Sequence, residues 1–339
     1  MSEISAAIGF NLIVISPTIA LVGTALVLLF FTITIESNEI VKKSITFLGM
    51  LITSFCVFLK FGLFFENGVS SYFTQKILLD EFSLFGNVLI SLILLFNFLP
   101  IWDSSKQLKE KTTEAIILTL MSASGFMLMV DSENLIMLFI GLEIGSISLY
   151  ALAGLNRGDK LSNEASLKYF LLGSLASCIL IYGVSLVYVS FSVFSVYNFA
   201  LGIAYVGPDS VPLTTSIGVL LIFIGLLFKI AAAPFQSWAP DVYQGSPTGY
   251  VGFMSSIAKV SSFIVIARLC LVSVNFIVED FNIFFLIVII SSALIGSLFA
   301  SIQEDLKRLL AYSGVVQSGF ILSGIVSGCL LYTSPSPRD

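Results

Sequence analysis

Four charged side chains stand inside apolar stretches of the sequence, namely Glu143, Lys168, Lys229 and Lys259. A charge at the centre of a bilayer costs roughly 2.5–3.5 kcal/mol on insertion scales, so such groups usually face a protein interior or water and by default mark a transport path. A lysine suits proton transfer there because burial makes it release its proton more readily, whereas a nearby carboxylate holds the proton in place. The four residues therefore predict a buried proton relay.

The depth of each residue in its apolar stretch supports this hypothesis to a different extent. At about 1.5 Å per residue, Glu143 lies about 12 Å into the fifth stretch and Lys259 about 14 Å into the eighth. Lys229 lies close to the end of the seventh stretch. Lys168 lies one turn into the sixth with Glu164 four residues before it, so an interfacial ion pair explains this lysine about as well as a relay role does.

Two further cations, Lys60 and Arg268, lie near the outer ends of their stretches. We expect both side chains to extend to the membrane interface and to stay outside the relay. Glu143 is then the only carboxylate predicted to lie deep within an apolar stretch.

The elements that must position these residues are ten apolar stretches, most of them near the roughly 20 residues that span a bilayer as a helix. Strands are excluded as spanning elements because the stretches are continuous and do not alternate. The sequence therefore predicts an all-α, polytopic transmembrane helix bundle. Pro234 is expected to break the seventh helix, and residues 193–212 to follow the outer interface as a weakly polar link. The predicted helices cover residues 8–35, 45–65, 82–101, 115–130, 135–155, 165–191, 214–233, 250–272, 281–300 and 309–331.

Lysine and arginine are concentrated in every second predicted loop. The even-numbered loops contain only one basic residue, Lys76. By the positive-inside rule, the odd-numbered loops face the cytoplasm or its equivalent and the N-terminus faces outward. The cations of the odd-numbered loops are Lys42, Lys43, Lys106, Lys109, Lys111, Arg157, Lys160, Lys307 and Arg308.

The overall composition excludes most other classes of protein. Apolar residues form 57% of the 339-residue chain and charged residues 11%, with a mean hydropathy of +1.02, whereas soluble domains carry about 25% charged residues. There is no basic cluster for nucleic acid, no histidine and no glycine-rich nucleotide motif. We therefore expect no metal site and no cofactor bound by this chain. Its cysteines stand singly, unlike the ligands of an iron–sulfur cluster, and are Cys56, Cys178, Cys270 and Cys329.

Five sequence motifs surround the candidate residues. They are Phe139-Ile-Gly-Leu-Glu143, Glu164-Ala-Ser-Leu-Lys168-Tyr-Phe-Leu-Leu-Gly173, Gly225-Leu-Leu-Phe-Lys229, Ala233-Pro-Phe-Gln-Ser-Trp-Ala-Pro-Asp-Val-Tyr-Gln-Gly-Ser-Pro247 and Asp305-Leu-Lys-Arg-Leu-Leu-Ala-Tyr-Ser313. Together they resemble the antiporter-like proton-pumping subunits of respiratory complex I, over a region from about Asp80 to Ser323. The end of the fourth motif resembles in particular the branch formed by subunit N of bacterial NADH:quinone oxidoreductase, which is subunit 2 in mitochondria.

This resemblance implies a role for each candidate residue. Glu143 and Lys229 would form the central pair, Lys259 would continue the proton path, and Lys168 would take part in it. The subunit would couple electron transfer from NADH to quinone to proton translocation. NADH, FMN, iron–sulfur clusters and quinone would bind to partner subunits. The expected partners are the other membrane subunits of complex I and the lipid bilayer, in a bacterial inner (plasma) membrane or an organellar inner membrane.

Two departures from the family pattern bear on this expectation. Gln236 stands where the family usually has a histidine, and an amide can order water but cannot titrate. The family bundle has fourteen helices, in which helices four to eight are repeated in inverted form. We therefore expect the first three helices in residues 1–114, the first repeat in 115–272, the start of the second repeat in 273–331 and a non-native tail in 332–339, with the chain truncated after the tenth helix.

Two other functions fit the same residues. A cation/proton antiporter subunit without redox coupling would share the helix bundle and the buried charges, although the Tyr243-Gln-Gly-Ser-Pro247 motif favours the complex I subunit. A purely structural membrane subunit is disfavoured by the cost of four buried charges.

Overall fold

Long apolar runs fold into helices because a helix satisfies its backbone polar groups internally, as a bilayer requires. The computed structural model describes residues 2–34, 39–107, 112–207, 210–273 and 281–333. These residues contain twelve α-helices: α1 Ser2–Thr34, α2 Glu39–Asn67, α3 Glu81–Gln107, α4 Thr112–Asp131, α5 Leu135–Ala153, α6 Lys160–Phe191, α7 Val196–Val206, α8 Leu213–Lys229, α9 Trp238–Gly245, α10 Thr248–Arg268, α11 Asn282–Ser301 and α12 Leu306–Thr333. The chain leaves α10 through a π-helical turn, Leu269–Ser273.

The all-α polytopic architecture is confirmed. In the described part of the chain, nine helices are long and apolar enough to cross a membrane. The predicted seventh span, α8, has 17 residues because it ends at Lys229, and it lies at the short limit for a crossing helix. Several helices extend beyond the apolar stretches, as α6 does by starting at Lys160, because lysine, glutamate and glutamine are good helix formers at polar helix ends.

Three short elements were not predicted. Residues 193–212, expected to be a weakly polar link, contain helix α7, which is capped by Ser195 through a hydrogen bond from the Asn198 N–H at 3.2 Å. Helix α9 is the second short element. The third is a hairpin in which strand β1, Ser70–Tyr72, pairs antiparallel with strand β2, Ile77–Leu79. Segments of 3, 8 or 11 residues are too short to show a spanning pattern.

The chain forms two compact units, Met1–Phe170 with Gly245–Ser261, and Leu171–Gln244 with Ser262–Asp339. We call them the first and the second unit. Packing defines these units, whereas internal repetition defines the segments expected from the sequence. The predicted division at residues 114, 272 and 331 therefore stays a prediction.

In the first unit, α4 and α5 approach each other closely at glycine residues. A Cβ atom on Gly125 would meet the backbone nitrogen of Gly145, and would lie 2.8 Å from the carbonyl oxygen of Gly141. A Cβ on Gly141 would likewise meet the backbone of Met129. Small residues let the helix backbones touch, as is typical of membrane helix packing. The position of α5 is therefore set by that of α4.

Some sequence expectations fall outside the described residues. They concern the loop cations Lys109 and Lys111, the Pro208 of the predicted link, and residues 334–339 of the predicted tail. The side chains of Lys106 and Cys329 are also outside the described part.

Candidate proton-transfer site

Glu143 lies on α5, in the first unit, and its side chain is half-buried. Helix α5 begins with an N-cap, in which the side-chain oxygen of Asn134 accepts hydrogen bonds from the N–H groups of Ile136 and Met137 at 2.9 and 3.4 Å. Such a cap satisfies orphan donors of the first turn and defines where the helix starts. Glu143 also stands between Gly141 and Gly145, so the contact with α4 fixes its rotation and depth.

The other two candidates of the first unit differ in exposure. Lys259 lies on α10 and is half-buried. Lys168 lies on α6, where its Nζ is 2.7 Å from Oε1 of Glu164, and the two side chains are 41% and 58% exposed. The ion pair that the sequence offered as an alternative reading of Lys168 is therefore formed, and its place at the interface and the relay role of Lys168 both stay predictions.

Lys229 belongs to the second unit and is the last residue of α8, only 3% exposed. After it the chain leaves the helix, and Ala231 adopts a positive φ of 55°. The chain becomes helical again at Trp238. The predicted pairing of Lys229 with Glu143 joins residues of the two units and stays a prediction.

The backbone that follows Lys229 is satisfied by side chains, although it is not helical. In a continuous helix the carbonyl of Ile230 would accept a hydrogen bond from the N–H of residue 234, but this residue is a proline and has no N–H. The Ile230 carbonyl accepts a hydrogen bond from the Ser318 hydroxyl instead, at 2.8 Å. The Ala233 N–H donates to Oγ of Ser292 at 2.9 Å, and the Ala233 carbonyl accepts from the Ser291 hydroxyl at 3.1 Å. Non-helical backbone is tolerated at membrane depth only with such partners.

Aromatic residues complete this turn. The indole N–H of Trp238 donates to the carbonyl of Phe228 at 3.1 Å, and the two rings stack with centroids 5.6 Å apart. Gln236, the residue that replaces the family histidine, has a buried Oε1 that accepts no hydrogen bond from the described residues. Trp238 stands in the fourth motif, but Ser291, Ser292 and Ser318 were not singled out in the sequence. The only signal for these serines was that they are small polar residues within apolar helices.

Two of the quoted motifs meet in the second unit, at the start of α12. Arg308 Nη1 donates to Oδ1 of Asp241 at 2.6 Å and to Oε1 of Gln244 at 3.1 Å. Asp305 caps α12 by accepting from the N–H groups of Lys307 and Arg308 at 2.8 and 3.1 Å. The backbone N–H of Arg308 lowers the pKa of Asp305 below its usual range, because that bond favours the charged carboxylate. These contacts tie α9 to α12.

The expectation that the side chains of Lys60 and Arg268 extend to the membrane interface was wrong. Their exposed fractions are 0% and 4%, so neither side chain extends to the interface. Asp131, the last residue of α4 and not deep within an apolar stretch, is also buried, with 2% exposure, and pairs with Lys60. The hydropathy pattern predicts that a residue lies near the end of a helix, but it does not predict whether another part of the fold covers that end.

The comparison with known families bears on the identity of the chain. The family described as "NADH:quinone oxidoreductase/Mrp antiporter, TM" matches residues 132–333, more than half of the chain. The chain belongs to this family. The match includes Glu143, Lys168, Lys229 and Lys259.

The relatives of this chain include proteins named NADH-quinone oxidoreductase subunit N. That of Trichlorobacter lovleyi is 37% identical over 267 residues, which are 78% of this chain and 54% of the relative. That of Hydrogenovibrio crunogenus is 34% identical over 312 residues, 90% of this chain and 62% of the relative. The chain thus spans about half to two thirds of the length of these relatives.

Solved structures of similar fold include chains of a respiratory complex and of an Mrp complex. A chain of respiratory complex I from Thermus thermophilus matches with a TM-score of 0.75 and 27% identity, over 92% of this chain and 64% of that one. A chain of the Mrp complex from Dietzia sp. matches with a TM-score of 0.77 at 19% identity, over 92% of this chain and 59% of that one, and shows likeness of fold alone.

Proposed function

We propose that this chain is part of a proton-translocating membrane subunit of an NADH:quinone oxidoreductase, in a bacterial inner membrane. The observation that carries the proposal is the identity of 34–42% to proteins named NADH-quinone oxidoreductase subunit N. The site supports it physically, because Lys229 is buried at the point where the α8 backbone leaves the helix.

Each candidate residue has a distinct part in the proposed relay. Glu143 holds Lys229 in its protonated form, and a weakening of this interaction lets Lys229 pass its proton toward Lys259. Lys168 is a further, more exposed group at the edge of the path. The turn after Lys229 is stabilised by Ser291, Ser292 and Ser318, and it leaves the lysine at the end of a helix. At a helix end, the backbone and the side chain can rearrange more easily than within a regular helix.

The redox chemistry would belong to partner subunits. This chain has no histidine and four isolated cysteines, and none of its described residues form a group of three or more metal-ligating side chains. In the proposed complex, NADH, FMN, iron–sulfur clusters and quinone would be held by partner subunits, and this chain's residues would bind and move protons. Its partners would be the other membrane subunits.

The experiment that tests this proposal uses the intact subunit in its complex, in sealed inside-out vesicles. We expect Lys229→Ala to slow NADH-driven proton uptake and coupled quinone reduction, and to leave electron transfer from NADH to an artificial acceptor unchanged. Glu143→Gln combined with Lys229→Ala should be little worse than either change alone, because residues that act as one unit are not additive. The control is Lys76→Met, a change of an exposed lysine in the β1–β2 hairpin. Normal proton uptake by the assembled Lys229→Ala complex would refute the proposal.

A second candidate is a cation/proton antiporter subunit without redox coupling, since the matching family description includes Mrp antiporters. The same vesicles distinguish the two functions. An antiporter would acidify or alkalise the lumen when a Na⁺ gradient is applied without NADH, and Lys229→Ala would abolish that response. The complex I function requires NADH for every proton that moves.

A further inference from the structure

A second buried charge cluster lies in the first unit, apart from the relay residues. Lys60 of α2 donates from Nζ to both carboxylate oxygens of Asp131, each at 2.9 Å. Asn87 of α3 donates from Nδ2 to Oδ1 of the same carboxylate at 2.6 Å. The exposed fractions of the Lys60 and Asp131 side chains are 0% and 3%. Three helices therefore converge on one ion pair, which we call the outer clamp.

The outer clamp is covered, which explains why Lys60 does not reach the interface. The β1–β2 hairpin lies over the end of α4, because Ile77 forms a bridge with Ser132 and the Glu133 N–H donates to the carbonyl of Lys76 at 3.0 Å. A small apolar core also forms around β2; it consists of Val14, Leu63, Ile77, Leu79 and Leu84. A charge in such surroundings needs a partner, because breaking a buried pair costs several kcal/mol.

The clamp is linked to Glu143 through a short stretch of chain. Asp131 is the last residue of α4, and only three residues separate it from the start of α5 at Leu135. The third of these, Asn134, is the N-cap of α5. Glu143 follows Leu135 by about 12 Å of helix, and its two neighbouring glycines pack on α4. Whatever fixes the end of α4 therefore also fixes where Glu143 lies.

We propose that Lys60, acting through Asp131, is a positioning residue for Glu143. The ammonium of Lys60 neutralises Asp131 and holds the α4–α5 turn against α2, so that Glu143 keeps its depth and its electrostatic surroundings. This inference rests on the proposed function, in which Glu143 is a proton carrier. It assigns to Lys60 no proton of its own to transfer.

The effect of removing the Lys60 charge can be estimated. An uncompensated Asp131 carboxylate would lie roughly 15 Å from Glu143, counting the helix rise and the turn. One unit charge at that distance and an effective dielectric of about 20 changes a protonation equilibrium about sixfold.

The test uses a lipophilic carbodiimide, which reacts with protonated buried carboxyl groups, on the assembled complex, with the labelled peptides quantified by mass spectrometry. We expect Lys60→Gln to change the labelling rate of Glu143 about sixfold and to lower NADH-driven proton uptake. Lys60→Arg, and the neutral pair Lys60→Gln with Asp131→Asn, should restore both values to within twofold of wild type. Lys76→Gln, in the exposed hairpin on the same side of the unit, is the matched control.

Unchanged labelling of Glu143 in an assembled Lys60→Gln complex would overturn the proposal. Lys60 would then stabilise the fold without affecting Glu143. If the neutral pair is as inactive as Lys60→Gln alone, Lys60 carries protons itself and the positioning role is wrong. Should Lys60→Gln fail to assemble, Asp131→Asn decides, because it leaves the Lys60 charge uncompensated instead: a sixfold change in Glu143 labelling supports the proposal, and wild-type labelling overturns it. Labelling does not depend on pumping, so this outcome is separate from failure of the proposed function.

Discussion

Ser292→Ala tests whether the non-helical backbone after Lys229 depends on side chains of the neighbouring helices. The Ser292 hydroxyl is fully buried and accepts the Ala233 N–H at 2.9 Å. Alanine leaves that buried donor without its partner, which costs about 1–3 kcal/mol. At 1.36 kcal/mol for each factor of ten, local opening of the turn should become about 5- to 150-fold more frequent.

Hydrogen–deuterium exchange of the peptide that covers residues 230–240 measures this opening in the assembled complex, because exchange reports local unfolding equilibria. The control is Ser297→Ala on the same helix, since the exposed Ser297 hydroxyl donates only to carbonyls of its own helix, at 2.7 and 3.1 Å. Equal exchange of the peptide in the two variants would refute the reasoning. Faster exchange in Ser292→Ala should be accompanied by slower proton uptake, because the turn holds Lys229.

Two further predictions concern orientation and the contact between α9 and α12. In a background without native cysteines, Lys160→Cys should react with an impermeant thiol reagent from the cytoplasmic side and Lys76→Cys from the opposite side; reaction of both from one side would contradict the assigned orientation. Arg308→Met removes the ion pair with Asp241, whose side chains are 27% and 33% exposed, so solvent screening limits the loss to about 1 kcal/mol. Hydrogen–deuterium exchange of α9 should therefore become no more than about fivefold faster in Arg308→Met. A hundredfold increase would show that solvent does not screen the ion pair of Arg308 with Asp241.

The helices and the polar residues within them could be predicted because both depend on local properties of the chain. A run of about 20 apolar residues has few alternatives to a membrane helix, and the ion pair of Lys168 with Glu164 follows from their spacing of four residues. Helix ends were less certain, since α8 stops at Lys229 and not at Ala233. That end depends on Ser292 and Ser318, which are distant in the sequence.

Lys60 shows what the sequence could not reveal. It stands seven residues before the end of α2, a position from which a lysine normally reaches the interface. The β1–β2 hairpin closes that route, and Asp131 supplies the partner. Both are tertiary features, and the three-residue strands of the hairpin show no pattern that would predict them.

The central claim is that Glu143 is essential for proton translocation, and the most direct test is NADH-driven proton uptake by assembled Glu143→Gln complexes in sealed inside-out vesicles. Glutamine keeps the shape of the side chain and removes its charge, so Lys229 would lose the group that we propose holds its proton. The account predicts that uptake per assembled complex falls at least about tenfold, while electron transfer from NADH to an artificial acceptor is unchanged. Proton uptake at the wild-type rate in these vesicles would contradict it.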